Sequence, residues 1–238
     1  MTRDLVYGRR PVREALRGRR EVLELWASDR ALAAEDWLGE APVRVQTKPE
    51  RELTDAAGTR DHQGVVAWVE PYKYADAWEL AGQERPLLAC LDHVTDPHNL
   101  GAVCRSAEGA GATGVVVPAH GSATITAAVA KASAGAVEHL PVAVVPNLAR
   151  YLSGIKRPDL WIYAAAGDAE ARLWETDFTG GTVFVLGAEG RGLRPLVRRT
   201  CDAVVRIPLA GHIESLNVSV ATALLLFEAR RQRTGPSV

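Results

Sequence analysis

Lysine is scarce in this 238-residue sequence, at Lys48, Lys73, Lys131 and Lys156 only, against 24 Arg. Cysteine occurs three times, and Cys90, Cys104 and Cys201 are scattered, odd in number and form no C-x-x-C pair. That argues against a disulfide or zinc framework and for small buried hydrophobes in a reducing, cytoplasmic setting. No apolar run approaches the roughly 20 residues of a membrane span, so no membrane partner is expected. Residues 1–20 hold no apolar stretch of the kind that marks a secretory signal. Several chemical signatures are missing as well. There is no G-x-G-x-x-G after a strand, since Gly187-Ala-Glu-Gly-Arg-Gly has the spacing G-x-x-G-x-G. There is no G-x-x-x-x-G-K-[ST], no H-E-x-x-H and no G-x-S-x-G, which argues against a Rossmann or P-loop nucleotide site. His93 and His98 stand five apart in a loop, which is not ligand spacing, and no metal is expected.

What is present is an apolar fraction of 47% and a net charge of −1, enough for a proper core in one large or two modest domains. The neutral total hides two basic regions. Residues 1–20 hold seven Arg against Asp4 and Glu14, and residues 191–233 hold eight Arg against Asp202, Glu214 and Glu228. A GC-rich genome favours arginine; so does phosphate recognition, because a planar guanidinium makes paired hydrogen bonds to phosphate oxygens.

Residues 1–70 pattern as a small α/β module. Helices are expected at 9–16, 31–38 and 53–57, with strands at 21–27, 43–45 and 64–69. Residues 71–85, bracketed by Pro71 and Pro86, pattern as a linker with a short helical turn. From 86 to 238, apolar strands at 87–91, 114–117, 142–145, 160–164, 183–186 and 204–207 alternate with helices near 101–110, 125–132, 148–153 and 194–200. A long helix follows from about 216 to 232. That alternation predicts a mainly parallel sheet covered on both faces. The last helix is apolar nearly all round. Either it covers the sheet and meets a second subunit, or it is a deeply buried helix of a monomer.

Three segments join polar residues to strand ends. In the first, 91–105, Pro97 forces a turn and a helix begins near Asn99, a natural N-cap. Arg105 follows inside a small, apolar stretch, where it needs an anionic partner. The second, 184–194, runs a strand into a glycine-dense turn that allows close backbone approach to a ligand. Glu189 there is either a local cap or an organiser of a ligand loop. The third, 207–219, leads a strand through a loop into the long helix, with Ser215 a natural N-cap and Asn217 in the first turn.

In order and spacing, NLGAVCRSAEGAGATGVVVP, VLGAEGRGLRP and IPLAGHIESLNVSVATALLLFEA resemble the three motifs of the SpoU (TrmH) family of RNA ribose 2′-O-methyltransferases, in the SPOUT class. The resemblance covers about residues 86–233. YGRRPVREAL and HQGVVA resemble the ribosomal-protein-like RNA-binding domain that precedes many such enzymes, and KASAGAVEHL points to the 23S rRNA guanosine subgroup. It implies an α/β fold: a C-terminal α/β-knot with a deep trefoil knot, preceded by the small RNA-binding module. It also implies S-adenosylmethionine as cofactor, a homodimer and RNA as partner. Carried over position by position, the catalytic set is Asn99, Arg105, Glu189, Ser215 and Asn217. Leu186, Gly187, Glu189, Gly190, Ile207, Leu209, Ser215, Leu216 and Asn217 surround the cofactor. Arg9, Arg10, Arg13 and Arg17, with Arg19 and Arg20, are expected to meet RNA phosphates, the alternative being a solvated helix face. Other targets consistent with the motifs are tRNA guanosine or an rRNA nucleotide linked to antibiotic resistance; a catalytically silent RNA-binding or ribosome-assembly factor is the reading from another class.

Overall fold

The runs LLACLD, GVVVP and GTVFVLG carry no alternation because both faces of their strands are covered; nearly every residue in them is buried. A computed structural model describes residues 2–188, 190 and 192–235. The chain forms β1 (Asp4–Tyr7), α1 (Arg9–Arg17), β2 (Val22–Ala27), α2 (Asp29–Ala34), β3 (Val45–Thr47), α3 (Glu50–Ala57) and β4 (Val65–Val69). There follow α4 (Ala77–Gly82), β5 (Leu87–Asp92), α5 (Pro97–Gly109), β6 (Gly114–Pro118), α6 (Ala127–Ala132), β7 (Val142–Val145), α7 (Leu148–Gly154) and β8 (Leu160–Ala165). The last elements are β9 (Ala171–Arg172), β10 (Gly181–Gly187), α8 (Pro195–Thr200), β11 (Ala203–Arg206) and α9 (Val218–Thr234).

These divide into two compact units. The first holds residues 1–73 together with 124–139; the second holds 74–123 and 140–238. The first unit is a four-stranded sheet in the order β1-β4-β2-β3, with β2 and β3 parallel and the other pairs antiparallel. Val6, Val12, Leu25, Leu53 and Val66 make its core. Residues 124–139 come from the middle of the chain and bring α6 against β1. They also bring Glu138, which is tied to Arg20 in the core of this unit. Arg20 Nε donates to Glu138 Oε2 at 2.9 Å and Nη2 to Oε1, while Nη1 reaches Asp4 Oδ2 at 3.2 Å. Arg20 is therefore a structural cation, not a free phosphate ligand.

The second unit is a seven-stranded sheet in the order β7-β6-β5-β10-β8-β11-β9, parallel throughout. The expected parallel, doubly covered sheet is what forms. β5, β6 and β7 fan out to one side and β8, β11 and β9 to the other, with β10 placed between β5 and β8. Strand order thus reverses at the carboxyl ends of β5 and β10, where parallel sheets hold ligands. Residues 74–85 belong to this unit, and α4 buries Ala77, Leu80 and Ala81, so much of the expected linker is core.

Three boundaries differ from the sequence expectation. The helix expected at 31–38 splits into α2 and a single tighter turn over Asp36–Leu38, because Glu35 adopts an extended backbone. α5 begins at Pro97, whose fixed φ suits the first helical position, and Asp96 caps it by accepting from His98 N at 2.9 Å. α9 begins at Val218 with Asn217 as its cap, so neither Asn99 nor Ser215 is an N-cap. The strands β1 and β9 were not expected; at four and two residues they are too short to show a period.

Candidate active site

Three loops meet the carboxyl edge of the second sheet, and one buried carboxylate ties two of them together. Asp92, 1% exposed at the end of β5, accepts from Arg194 N at 2.9 Å and from Arg194 Nε at 2.8 Å. Ala188 N donates to the Asp92 carbonyl at 3.1 Å, and Gly192 N to Ala188 O at 2.9 Å, which folds the turn after β10 back on itself. That fold explains the glycines. A Cβ on Gly187 would lie 2.1 Å from the Gly192 carbonyl carbon, and Gly190 and Gly192 have φ of +77° and +64°. Glu189 lies outside the described residues.

The third loop behaves differently. Residues 208–216 make no hydrogen bond with any described residue, and Leu209 and Ile213 stand exposed. A stretch of unpaired backbone N–H and C=O groups with apolar side chains, next to buried Leu186 and half-buried Ile207 and Leu216, offers what a planar adenosyl group needs: shape, apolar contact and backbone donors and acceptors. The expected cofactor-binding residues Leu186, Gly187, Gly190, Ile207, Leu209, Ser215, Leu216 and Asn217 all lie along this edge, so the residues present fit S-adenosylmethionine.

Where the loop enters α9, a polar network is built. Asn217 Oδ1 accepts from Ser219 N at 2.9 Å and from Ser219 Oγ at 2.6 Å. Its Nδ2 is thereby turned toward Asn99 and donates to Asn99 Oδ1 at 2.9 Å. Asn99 uses its acceptor in that bond and keeps its two Nδ2 protons as donors. The pair joins the first turns of α5 and α9, which pack side by side. Further along, the Gly109 Cβ position lies 3.7 Å from the Phe227 ring, so the two helices run in the same direction. Ser219 and Asp92 were not singled out from sequence. A serine two residues beyond an Asn cap and an Asp closing a strand were the available signals.

Arg105 sits apart from this pair. Six residues beyond Asn99, it emerges on another face of α5, exposed and with no hydrogen bond or ion pair among the described residues. The expectation that it faces apolar packing is therefore corrected: small neighbours there line the opposite, buried side of the helix. Gly109, one turn on along the same face, meets Phe227, so Arg105 borders the exposed stripe of α9 made by Val220, Leu224 and Phe227. Ser215 is exposed and makes no described contact. Burial pushes the Cys104 thiol, on α5 between Asn99 and Arg105, up to about 12, which removes it as a nucleophile. Among the described residues no cluster of three or more His, Cys, Asp or Glu could hold a metal.

In the first unit, Arg9 Nη1 pairs with Glu35 at 3.0 Å and Arg17 Nη1 with Glu14 at 3.4 Å, while Arg19 Nη2 donates to the His139 carbonyl at 3.2 Å. Arg10 and Arg13 have no such partner among the described residues.

Comparison with known proteins follows the same division. The profile of the SpoU rRNA Methylase family matches residues 86–227, and that of the RNA 2′-O ribose methyltransferase substrate-binding domain matches 5–75. The 23S rRNA (guanosine-2′-O-)-methyltransferase RlmB of Pseudomonas syringae is 50% identical over 190 residues, 78% of this chain and 76% of that protein. RlmB of Pseudomonas putida is 43% identical with 96% of each chain covered. The SpoU methyltransferase AviRb from Streptomyces viridochromogenes, crystallised with AdoMet, superposes with a TM-score of 0.82 at 27% identity, covering 97% of this chain and 90% of that one. By a family match across more than half its length and by relatives of this identity, the chain belongs to the SpoU rRNA methylase family.

Proposed function

We propose that this protein is an S-adenosylmethionine-dependent RNA methyltransferase that modifies the ribose 2′-hydroxyl of a guanosine in 23S rRNA. The observation that carries the reading is the Asn99–Asn217 pair beside the unpaired loop 208–216, in a chain half identical to a 23S rRNA guanosine methyltransferase. The cofactor supplies a methyl group on a positively charged sulfur. What remains for the chain is to align an unreactive hydroxyl and dispose of its proton. Asn99, with its amide protons turned outward, donates to the ribose and fixes the direction of O2′. Arg105 clamps the adjacent phosphate through two hydrogen bonds and stabilises negative charge as it develops on O2′. An arginine, with pKa above about 12, stays protonated and does not act as base, so the O2′ proton passes to the clamped phosphate or to water. Ser215, Asn217 and Glu189 shape the cofactor side.

Arg105 leaves α5 on a different face from Asn99, so within one chain the two side chains diverge. A homodimer resolves this. Val220, Leu224 and Phe227 form an exposed apolar stripe on α9, and a second copy packed on it would receive Arg105 at its own site. The loops around 187–194 and 207–217 form a deep trefoil knot in this reading, which the family resemblance supports. The first unit supplies RNA affinity, consistent with the substrate-binding profile over residues 5–75. The reaction belongs in the cytoplasm, where the three free thiols stay reduced. Arg105→Lys tests the clamp: loss of most turnover with unchanged cofactor affinity is expected, and near-normal turnover would exclude a two-bonded guanidinium.

A further inference from the structure

A cleft of about 460 Å³ opens in the first unit between α1, the turn at Asp36–Leu38 and residues 131–134. Its volume falls in the range of about 300–1,000 Å³ typical of ligand sites. Its charges are unusual for this unit. Of the three arginines that line it, Arg9 is held by Glu35, whereas Arg10 and Arg13, one turn apart on α1, have no partner among the described residues. Lys131, Nζ 6.0 Å from the Tyr7 ring centroid, adds a third cation from the other side, with no carboxylate at ion-pair distance among the described residues. Two guanidinium groups left free of carboxylates on one helix face have the geometry to hold a phosphate.

The opposite wall is an aromatic held in place. Glu35 spends one carboxylate oxygen on Arg9 at 3.0 Å and the other on Trp37 Nε1 at 2.7 Å, which fixes the half-buried indole at the cleft edge. Gln63 adds a donor: its Oε1 accepts from Arg9 N at 3.2 Å, leaving Nε2 free. Backbone strain collects here too. Of the four non-glycine residues with positive φ among the described residues, Gln63 (+53°) and Ala134 (+53°) both line this cleft. Such strain persists where surrounding structure enforces it, and it concentrates at binding sites.

We propose that this cleft binds one unpaired RNA nucleotide, its phosphate between Arg10 and Arg13 and its base stacked on Trp37. The inference rests on RNA being the substrate, and it goes further by naming a single-stranded contact within the first unit. An unpaired nucleotide presents a free base face beside its phosphate, whereas within a duplex that face is covered by its neighbours.

The test measures binding of a fluorescein-labelled single-stranded 12-nucleotide RNA, and of the same sequence as a duplex, to the full-length protein between 50 and 200 mM salt. Arg10→Ala/Arg13→Ala should weaken single-strand binding at least tenfold and lower the slope of log affinity against log salt by about 0.7, the value for one phosphate contact. Trp37→Leu should weaken single-strand binding by about 5- to 100-fold, as expected for one lost base stack, leave duplex binding unchanged, and be rescued by Trp37→Phe. Urea unfolding followed by far-ultraviolet dichroism, with the first unit's transition unchanged, verifies that each variant is folded. Unchanged affinity in both the double arginine variant and Trp37→Leu would overturn the proposal, as would equal losses for single strand and duplex. The two readings fail separately. Wild-type protein that binds RNA through Trp37 yet transfers no methyl group would refute the assigned reaction and keep the cleft.

Discussion

Replacing Glu138 with alanine should destabilise the first unit while sparing the second. The Arg20 side chain is 7% exposed and that of Glu138 1%, so both charges sit out of water. Glu138 takes two of the guanidinium bonds; without it Arg20 keeps Asp4 Oδ2 at 3.2 Å and the Glu70 carbonyl at 3.2 Å. Removing one partner of a buried pair costs about 3–5 kcal/mol, because the remaining charge is stranded. A domain of about 90 residues has some 5–15 kcal/mol to lose. Urea unfolding followed by far-ultraviolet dichroism should therefore resolve two transitions in Glu138→Ala, the earlier belonging to the first unit. The paired replacement Arg20→Met/Glu138→Leu should recover most of the loss, since an apolar pair of similar volume carries no stranded charge. A Glu138→Ala destabilisation below about 1 kcal/mol would refute the reasoning, because it would mean the guanidinium is effectively hydrated. The same account expects a fragment ending near residue 73 to be poorly folded, for it lacks 124–139.

Other consequences are sharper at the site. Gly187→Ala should abolish cofactor binding in calorimetry, since its Cβ would lie 2.1 Å from the Gly192 backbone and hold the turn open. Ser219→Ala leaves the Asn217 amide oxygen held by the Ser219 backbone N–H alone; loss of one such hydrogen bond, about 0.5–1.5 kcal/mol, should lower kcat two- to tenfold. Cofactor affinity and KM for RNA should stay near normal, and Ser219→Thr should rescue, a pattern that a general loss of stability would not produce. The hydrogen bonds from Arg231 hold the Glu228 carboxyl below its ordinary range in the folded chain. That stabilisation is present above the unfolded-state value and is lost as pH falls through the folded one, so below about pH 5 Glu228→Gln should lose less stability than wild type. Burial pushes Cys201 up to about 12, so at pH 8 the native protein should react slowly with a thiol reagent such as dithionitrobenzoate and rapidly once unfolded.

Much of the fold was legible from residues whose periodicity is long. Six of the seven strands of the large sheet were visible as apolar runs, because double burial removes the polar alternation that would blur them. The terminal helix was legible too, although its two-sided apolarity left open what covers Val220, Leu224 and Phe227. What stayed hidden depends on contacts far apart in sequence. Nothing near residues 124–139 says that Glu138 is the partner of Arg20, 118 positions earlier. The arginines of residues 9–20 read as one basic stretch, and only the structure separates Arg20 and Arg9, which are held by carboxylates, from Arg10 and Arg13, which are not. At the site, the glycine pattern of 187–192 was readable as close backbone approach. The direction of Asn99 was not, since it is set by a relay through Asn217 to Ser219. Cap assignment erred by two or three residues at α5 and α9 because Ser, Asp and Asn all cap well, and tertiary geometry chose Asp96 and Asn217.

The central claim is the atom that receives the methyl group. The direct measurement is transfer from tritiated S-adenosylmethionine to 23S rRNA taken from a strain lacking this enzyme, followed by alkaline hydrolysis. A 2′-O-methyl ribose cannot attack its neighbouring phosphate, so the account expects the label in an alkali-resistant dinucleotide beginning with guanosine, and none when the target nucleotide is 2′-deoxy. Label released as a mononucleotide, which would place the methyl on a base, or no transfer at all by protein that binds the cofactor, would contradict it.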